Sequence, residues 1–222
     1  MAPISGISMA TSSVSSRLAR RPFFTLAAAT ASLALTMLAG GAGAAPADPA
    51  AARVDVFDHA LIEAMKGGAS LGVKGRAKKL TPAVESAFDL ATMTRVAVGP
   101  KWSEMSAVQQ SALVAGFTRL SVASYAHNFD SYGGERFDLD PVVQTRGVDK
   151  IVQCKLIVPK DKPVSLVYRM RQTPDGWKIV DVIYDGVSQL TTRRSDFAQP
   201  VAAGGAAGLL NHLDVLTEKL LK

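Results

Sequence analysis

Three histidines, one cysteine and a few aspartates set in apolar stretches are the residues of this sequence that could do chemistry. His59, His127 and His212 would serve as metal ligands or general bases, but each falls on a different helical stretch and none has ligand spacing. Cys154 would serve as a nucleophile. It lies in Val152-Gln-Cys-Lys-Leu156 on the apolar side of a strand pattern, which predicts a buried, inert thiol. Asp138 and Asp140 would serve as an acid pair, yet they alternate with Phe137, Leu139 and Val143 and read as the solvent face of an edge strand. Asp181 interrupts an otherwise apolar strand and reads either as a hydrogen-bonded structural carboxylate or as a catalytic acid. No glycine-rich phosphate loop follows a strand, and there is no nucleophile elbow. These residue types at these spacings predict no enzyme, no cofactor and no metal site, and leave binding as the function to look for.

The elements that must position any binding site centre on Trp177 to Phe197. Pro174-Asp175-Gly176 is a turn, and Trp177 to Tyr184 is a strand apolar on both faces. Asp185-Gly186 breaks it, and Val187, Leu190, Arg194 and Phe197 then recur at helical spacing. A last sheet strand thus runs into a helix that folds back over the sheet and walls one side of a space.

Upstream, Arg53 to Lys66 reads as a helix ended by Gly67-Gly68, with Val56, Phe57, Ala60, Leu61 and Ala64 on one side. Leu71 to Lys79 is helical and basic. Its Lys74, Arg76, Lys78 and Lys79 form either a solvated face or a docking patch for a membrane or acidic partner. Thr81-Pro82 starts a further helix carrying Val84, Phe88 and Leu90, and Asp89 to Val96 continues it. Ser106 caps a long helix, Ala107 to Phe129, with Val108, Leu113, Phe117, Leu120, Ala123 and Tyr125 as its apolar set. Phe137 to Val143, Val148 to Val158, Val164 to Thr173 and Trp177 to Tyr184 form a four-stranded antiparallel meander. Ser188 to Ala202 and Ala206 to Leu221 close the chain as helices separated by Gly204-Gly205. Helices, then strands, then helices predict an α+β fold with helices packed on one sheet. The wide apolar faces imply either a filled core or an apolar pocket between sheet and helices.

The first 44 residues read as an export signal. Arg17, Arg20 and Arg21 precede the uncharged run Phe23 to Leu38 and the small-x-small site Ala42-Gly43-Ala44. Residues 45–52 then read as a flexible leader and 53–222 as a single domain. The alternative for the apolar run is an uncleaved anchor, though it is short for a membrane span. Three of the 25 basic residues lie in that signal, so the remainder is only mildly basic against 19 acidic residues. That balance gives no argument for nucleic acid and suits transient contact with an anionic membrane. With one cysteine, an exported chain has no internal disulfide.

Phe88-Asp-Leu-Ala-Thr-Met93 followed by Val98-Gly-Pro-Lys-Trp102 resembles the signature region of the toluene-tolerance family, whose members include the MlaC-type periplasmic lipid carriers. Gly176 to Ser188 is similar to that family's strand-to-helix joint, and Thr192-Arg-Arg-Ser-Asp-Phe197 with Gly204-Gly205 to the helix after it. Val98 to Trp102 and Ser188 to Phe197 most resemble the hopanoid-biosynthesis-associated HpnM branch. The phospholipid-carrier branch more often has an Asn-Tyr-Arg-Ser pattern at Thr192 to Ser195.

The resemblance implies a periplasmic shuttle that carries a hopanoid or a phospholipid, hands it to an inner-membrane ABC transporter complex, and encloses the lipid tails between sheet and helices. The alternative is an accessory or scaffolding factor of hopanoid biosynthesis, or a lipid-modifying enzyme. On the carrier reading the expected lining is Phe88, Met93, Phe117, Leu120, Tyr125, Leu166, Tyr168, Met170, Val180, Val182, Tyr184, Val187 and Leu190. Arg193 and Arg194 are then expected to contact a partner or the lipid headgroup.

Overall fold

The computed structural model describes residues 48–222. The signal expected in residues 1–44, and the start of the leader, lie outside the described residues. Helix α1 spans Pro49–Ala87. It begins inside the expected leader because Asp48 caps it: the Asp48 carboxylate accepts from the Ala50 N–H at 2.8 Å, and Ala50 is fully buried. Val54, Phe57, Asp58, Leu61 and Ala64 follow at three- and four-residue steps and form its buried face.

The expected stop at Gly67-Gly68 is a kink instead. Gly68 (φ 40°) and Gly72 (φ 61°) take left-handed backbone that glycine tolerates, and helix resumes beyond them. Buried Arg76 braces this kink. Its guanidinium donates to the Ala126 carbonyl and the Gly68 carbonyl, both at 2.9 Å. Arg76 therefore leaves the expected basic docking cluster, while Lys74 and Lys78 stay exposed. Thr81-Pro82 does not start a helix either. Pro82 sits inside α1, and the fully buried Leu80 and Val84 on either side hold the helix through it.

Asp89 caps α2 (Leu90–Val98) through the Thr92 N–H at 2.9 Å, and its own N–H donates to the Ile179 carbonyl at 2.9 Å. A 3-10 turn over Gly99–Glu104 leads to α3 (Ala107–Asn128). The α3 start is a reciprocal capping box between Ser106 and Gln109, at the position expected. Val108, placed in its apolar set, is 80% exposed: it lies in the first turn, on the side away from Leu113 and Phe117.

The sheet holds six strands rather than four: β1 (Arg136–Leu139), β2 (Gln144–Arg146), β3 (Asp149–Ile157), β4 (Val164–Thr173), β5 (Gly176–Tyr184) and β6 (Val187–Ser188). The first expected strand stops at Leu139, before Asp140-Pro141, as β1, and β2 follows beyond Val143; both are antiparallel to β3. The order is β1-β3-β4-β5-β6, antiparallel throughout. Asp185 (φ 44°) and Gly186 (φ 85°) both take positive φ and turn β5 back on itself as a tight hairpin into β6 before the last helix begins. That helix, α4 (Gln189–Leu220), bends at Gly205, where two separate helices were expected.

Cross-strand partners place Cys154, Leu166 and Tyr184 in one row and Val152, Tyr168 and Val182 in the next, all on the face that meets the helices. Phe57, Leu61, Leu113, Leu120, Phe197 and Leu209 complete the core from α1, α3 and α4. The fold is the expected α+β arrangement of terminal helices on an antiparallel sheet.

Candidate functional site

The seam between the sheet and α1, α3 and α4 is where the expected ligand-contacting residues meet. Phe88, Met93, Phe117, Leu120, Leu166, Tyr168, Met170, Val182 and Leu190 join one buried cluster, and Tyr125 and Tyr184 pack half-buried against it. Two expected residues fall outside. Val180 is buried but sits at the bulge opposite Arg169 and Met170, without a cross-strand partner, and does not join the cluster. Val187 is 56% exposed, because the Asp185-Gly186 hairpin swings it into the edge strand β6 rather than onto the helix.

Two cavities stand out among the described residues, and both lie away from this cluster. One of about 190 Å³ is lined by Ala77, Thr118, Val122 and Thr217 on α1, α3 and α4. One of about 420 Å³ lies by the α1 kink, between Gly67-Gly68 and Ser131-Tyr132.

An aromatic row runs through the seam. Phe57 meets Phe88 edge-on at 5.0 Å and Tyr125 at 5.1 Å, Tyr125 meets Phe129 at 6.0 Å, and Phe129 meets Phe137 at 6.3 Å. It carries apolar contact from α1 across α3 to the edge strand β1. Phe57 was visible in the sequence as part of a helical apolar face, but nothing there marked it as the hub of this row.

Asp58 is the residue that sequence reasoning missed. It is only 1% exposed. It accepts from the Tyr168 hydroxyl at 2.8 Å and from the Cys154 thiol at 3.6 Å. Burial pushes its carboxyl up to about 7, against the opposing pull of those two donors. Burial likewise raises the Cys154 thiol and the Tyr168 hydroxyl, so Cys154 is the buried, protonated thiol its strand position implied. The signal available was a charged residue at a core position of the α1 pattern, between Phe57 and Leu61.

The other polar candidates resolve into structure or surface. Asp181 accepts from the Leu190 N–H at 3.0 Å and the Ser188 hydroxyl at 2.8 Å, and so fastens the start of α4 to β5. This is the structural alternative for that residue. Asp140 closes a turn through the Val142 N–H at 2.8 Å, and Asp138 is exposed. His59 and His127 are exposed, and no three candidate metal ligands lie together among the described residues.

Arg193 and Arg194 point apart. Arg194 is exposed near Gly99. Arg193 is half-buried, pairs loosely with Asp196 at 3.5 Å, and has its pKa lowered by burial. Its charge is felt at the Tyr125 hydroxyl of the aromatic row. The arrangement sets the Cys154 thiol and the Tyr168 hydroxyl on a buried carboxyl, away from solvent. It is an apolar seam with one buried carboxyl within and one cation at its edge.

Comparison with known proteins places this geometry. No curated protein matches the chain. A solved structure of a phospholipid-binding protein from Ralstonia solanacearum, in complex with a phospholipid, superposes with a TM-score of 0.67 at 25% identity, covering 79% of this chain and 100% of that one. The pattern that defines the MlaC protein family matches residues 57–215, from the aromatic hub of α1 to the second arm of α4, and the chain belongs to that family.

Proposed function

We propose that this protein is a non-catalytic lipid carrier that holds the apolar part of a phospholipid in the seam between its sheet and helices α1, α3 and α4. The observation that carries this is the likeness of this MlaC-family chain to a solved phospholipid-binding protein. The buried apolar cluster supports it from the side of this chain.

The seam residues are closely buried, so a lipid enters as the helices part from the sheet. Each acyl methylene taken out of water returns about 0.8 kcal/mol, so two long chains can offset a substantial opening cost. Arg193, half-buried and only loosely paired, suits the phosphate of the headgroup. Arg194, exposed on the next helix position, suits a partner surface. The working place is the periplasm, reached by the residue 1–44 signal, and the partner is an inner-membrane transporter complex, with transient membrane contact at exchange.

Organic extraction of the protein purified from its own host, followed by mass spectrometry of the extract, tests the reading. A phospholipid in near-stoichiometric amount is the expected result. A hopanoid in its place would move the cargo to the HpnM-like alternative that the Thr192 to Ser195 pattern favours. An empty extract would leave the accessory-factor reading standing and the carrier reading refuted.

A further inference from the structure

Asp58 sits where a charge is hardest to justify. The other polar links from α1 to the sheet lie at its margins. They are the Asp48–Lys150 pair at the helix start, and the Lys178 ammonium on the carbonyls of Glu85 and Ser86 at its end. Asp58 is the link in the interior. It joins α1 to both β3 and β4 through Cys154 and Tyr168, and it touches the aromatic hub through its neighbour Phe57.

The groups that face it offer it no cation within hydrogen-bonding reach. On its own helix, Asp55 raises its pKa and exposed His59 lowers it. From β4 it meets the Tyr168 hydroxyl and from β3 the Cys154 thiol, on which Asp138 of β1 also acts, and its charge is felt at the Tyr125 hydroxyl of α3. A neutral carboxyl is content among a phenol, a thiol and aromatic rings. An ionised one in that place lacks the counter-charge or the water it needs. Parting the seam lets water reach it, so ionisation favours the parted arrangement and protonation the closed one.

We infer that the Asp58–Tyr168–Cys154 cluster is a proton-controlled latch: with Asp58 neutral it holds α1 against β3 and β4, and losing that proton loosens the seam and speeds lipid exchange. The inference rests on the carrier reading for its lipid half and on the geometry alone for its latch half.

Transfer of a fluorescent phospholipid from loaded protein to phosphatidylcholine vesicles tests it across the pH range. The expected rate is roughly tenfold higher above the titration of Asp58 than well below it. Asp58→Asn, neutral at every pH, should stay slow throughout. Tyr168→Phe removes a donor that favours the ionised form, so its midpoint should move to higher pH. The same pH response in wild type and Asp58→Asn overturns the latch. Should Asp58→Asn fail to fold, an unmoved midpoint in Tyr168→Phe overturns it instead.

If the wild-type protein loads no phospholipid at all, the carrier reading falls, and amide exchange along β3 and β4 judges the latch separately. After correction for the intrinsic pH effect, faster exchange at high pH in wild type but not in Asp58→Asn supports the latch. Equal exchange in both refutes it.

Discussion

Two buried aspartates tie helices to the same sheet in this protein, and they do it in opposite ways. Asp181 on β5 holds the first turn of α4, where a backbone N–H and a capping hydroxyl both point at it. Two donors fix its oxygens at the start of the helix, and the joint behaves as a weld. Asp58 on α1 meets a phenol and a thiol, with no backbone amide bound to it among the described residues. There the surroundings favour the neutral acid, and the joint responds to protons. The joint between β5 and α4 is thus the fixed one. The side that can yield is the seam facing α1.

The sharpest way to break this contrast is the pH dependence of stability. The Asp58 pKa is raised from 3.8 to about 7 in the folded protein by burial. The folded state then binds more protons than the unfolded one between those values. The stabilisation from Asp58 is fully present below about pH 4 and is lost as pH rises through 7. Urea unfolding of Asp58→Asn should therefore gain on wild type as pH climbs through that window, by on the order of 2–4 kcal/mol. Parallel curves for the two proteins would erase the difference between latch and weld.

The weld predicts the reverse pattern. Asp181→Ala leaves the Leu190 N–H and Ser188 hydroxyl without their acceptor and should cost about 2 kcal/mol. That loss should be the same across the pH window in which Asp58 titrates. Denaturant midpoints collected at both ends of the window decide it.

A third substitution sharpens the seam itself. Leu166 is packed on the helix-facing side of β4, in register with Cys154 and Tyr184. Leu166→Trp should overpack it and lower stability by about 1–3 kcal/mol. It should also lower bound lipid per folded molecule, because the indole occupies the space a tail would take. Full lipid content in the folded variant would move the lipid away from this face.

The smallest effects belong to the rim. Arg194→Ala, at an exposed position, should change stability by less than about 0.5 kcal/mol. Arg193→Ala should cost little more, its one ion pair among the described residues being the loose one to Asp196. Phospholipid loading of Arg193→Ala should nonetheless fall if the guanidinium meets the headgroup. Unfolding of either variant would make these arginines structural.

Much of the architecture was legible because local signals agreed with the tertiary outcome. Ser106 with Gln109 marked the start of α3, and the alternation of Leu166, Tyr168 and Met170 marked the buried face of β4. Local signals misled where tertiary contacts overrode them. Gly67-Gly68 and Thr81-Pro82 look like a stop and a start, but Arg76 braces the first and Leu80 with Val84 carries the helix past the second. Asp185-Gly186 was seen as a break. That it folds β6 back, and so exposes Val187, depends on positive φ at both residues.

The seam residues were legible as a set, since periodicity alone groups them. Whether they enclose space or fill it depends on side-chain volumes across five elements, which no local pattern records. Asp58 was hidden for a related reason: its meaning comes from Tyr168 and Cys154, about a hundred positions away in sequence.

Native mass spectrometry of the protein isolated from its own host, with Leu166→Trp alongside, tests the central claim most directly. Wild type should carry one phospholipid per chain, and the folded variant should have lost most of it. A wild-type mass without lipid, or equal lipid in the two proteins, would contradict a carrier whose cargo lies between sheet and helices.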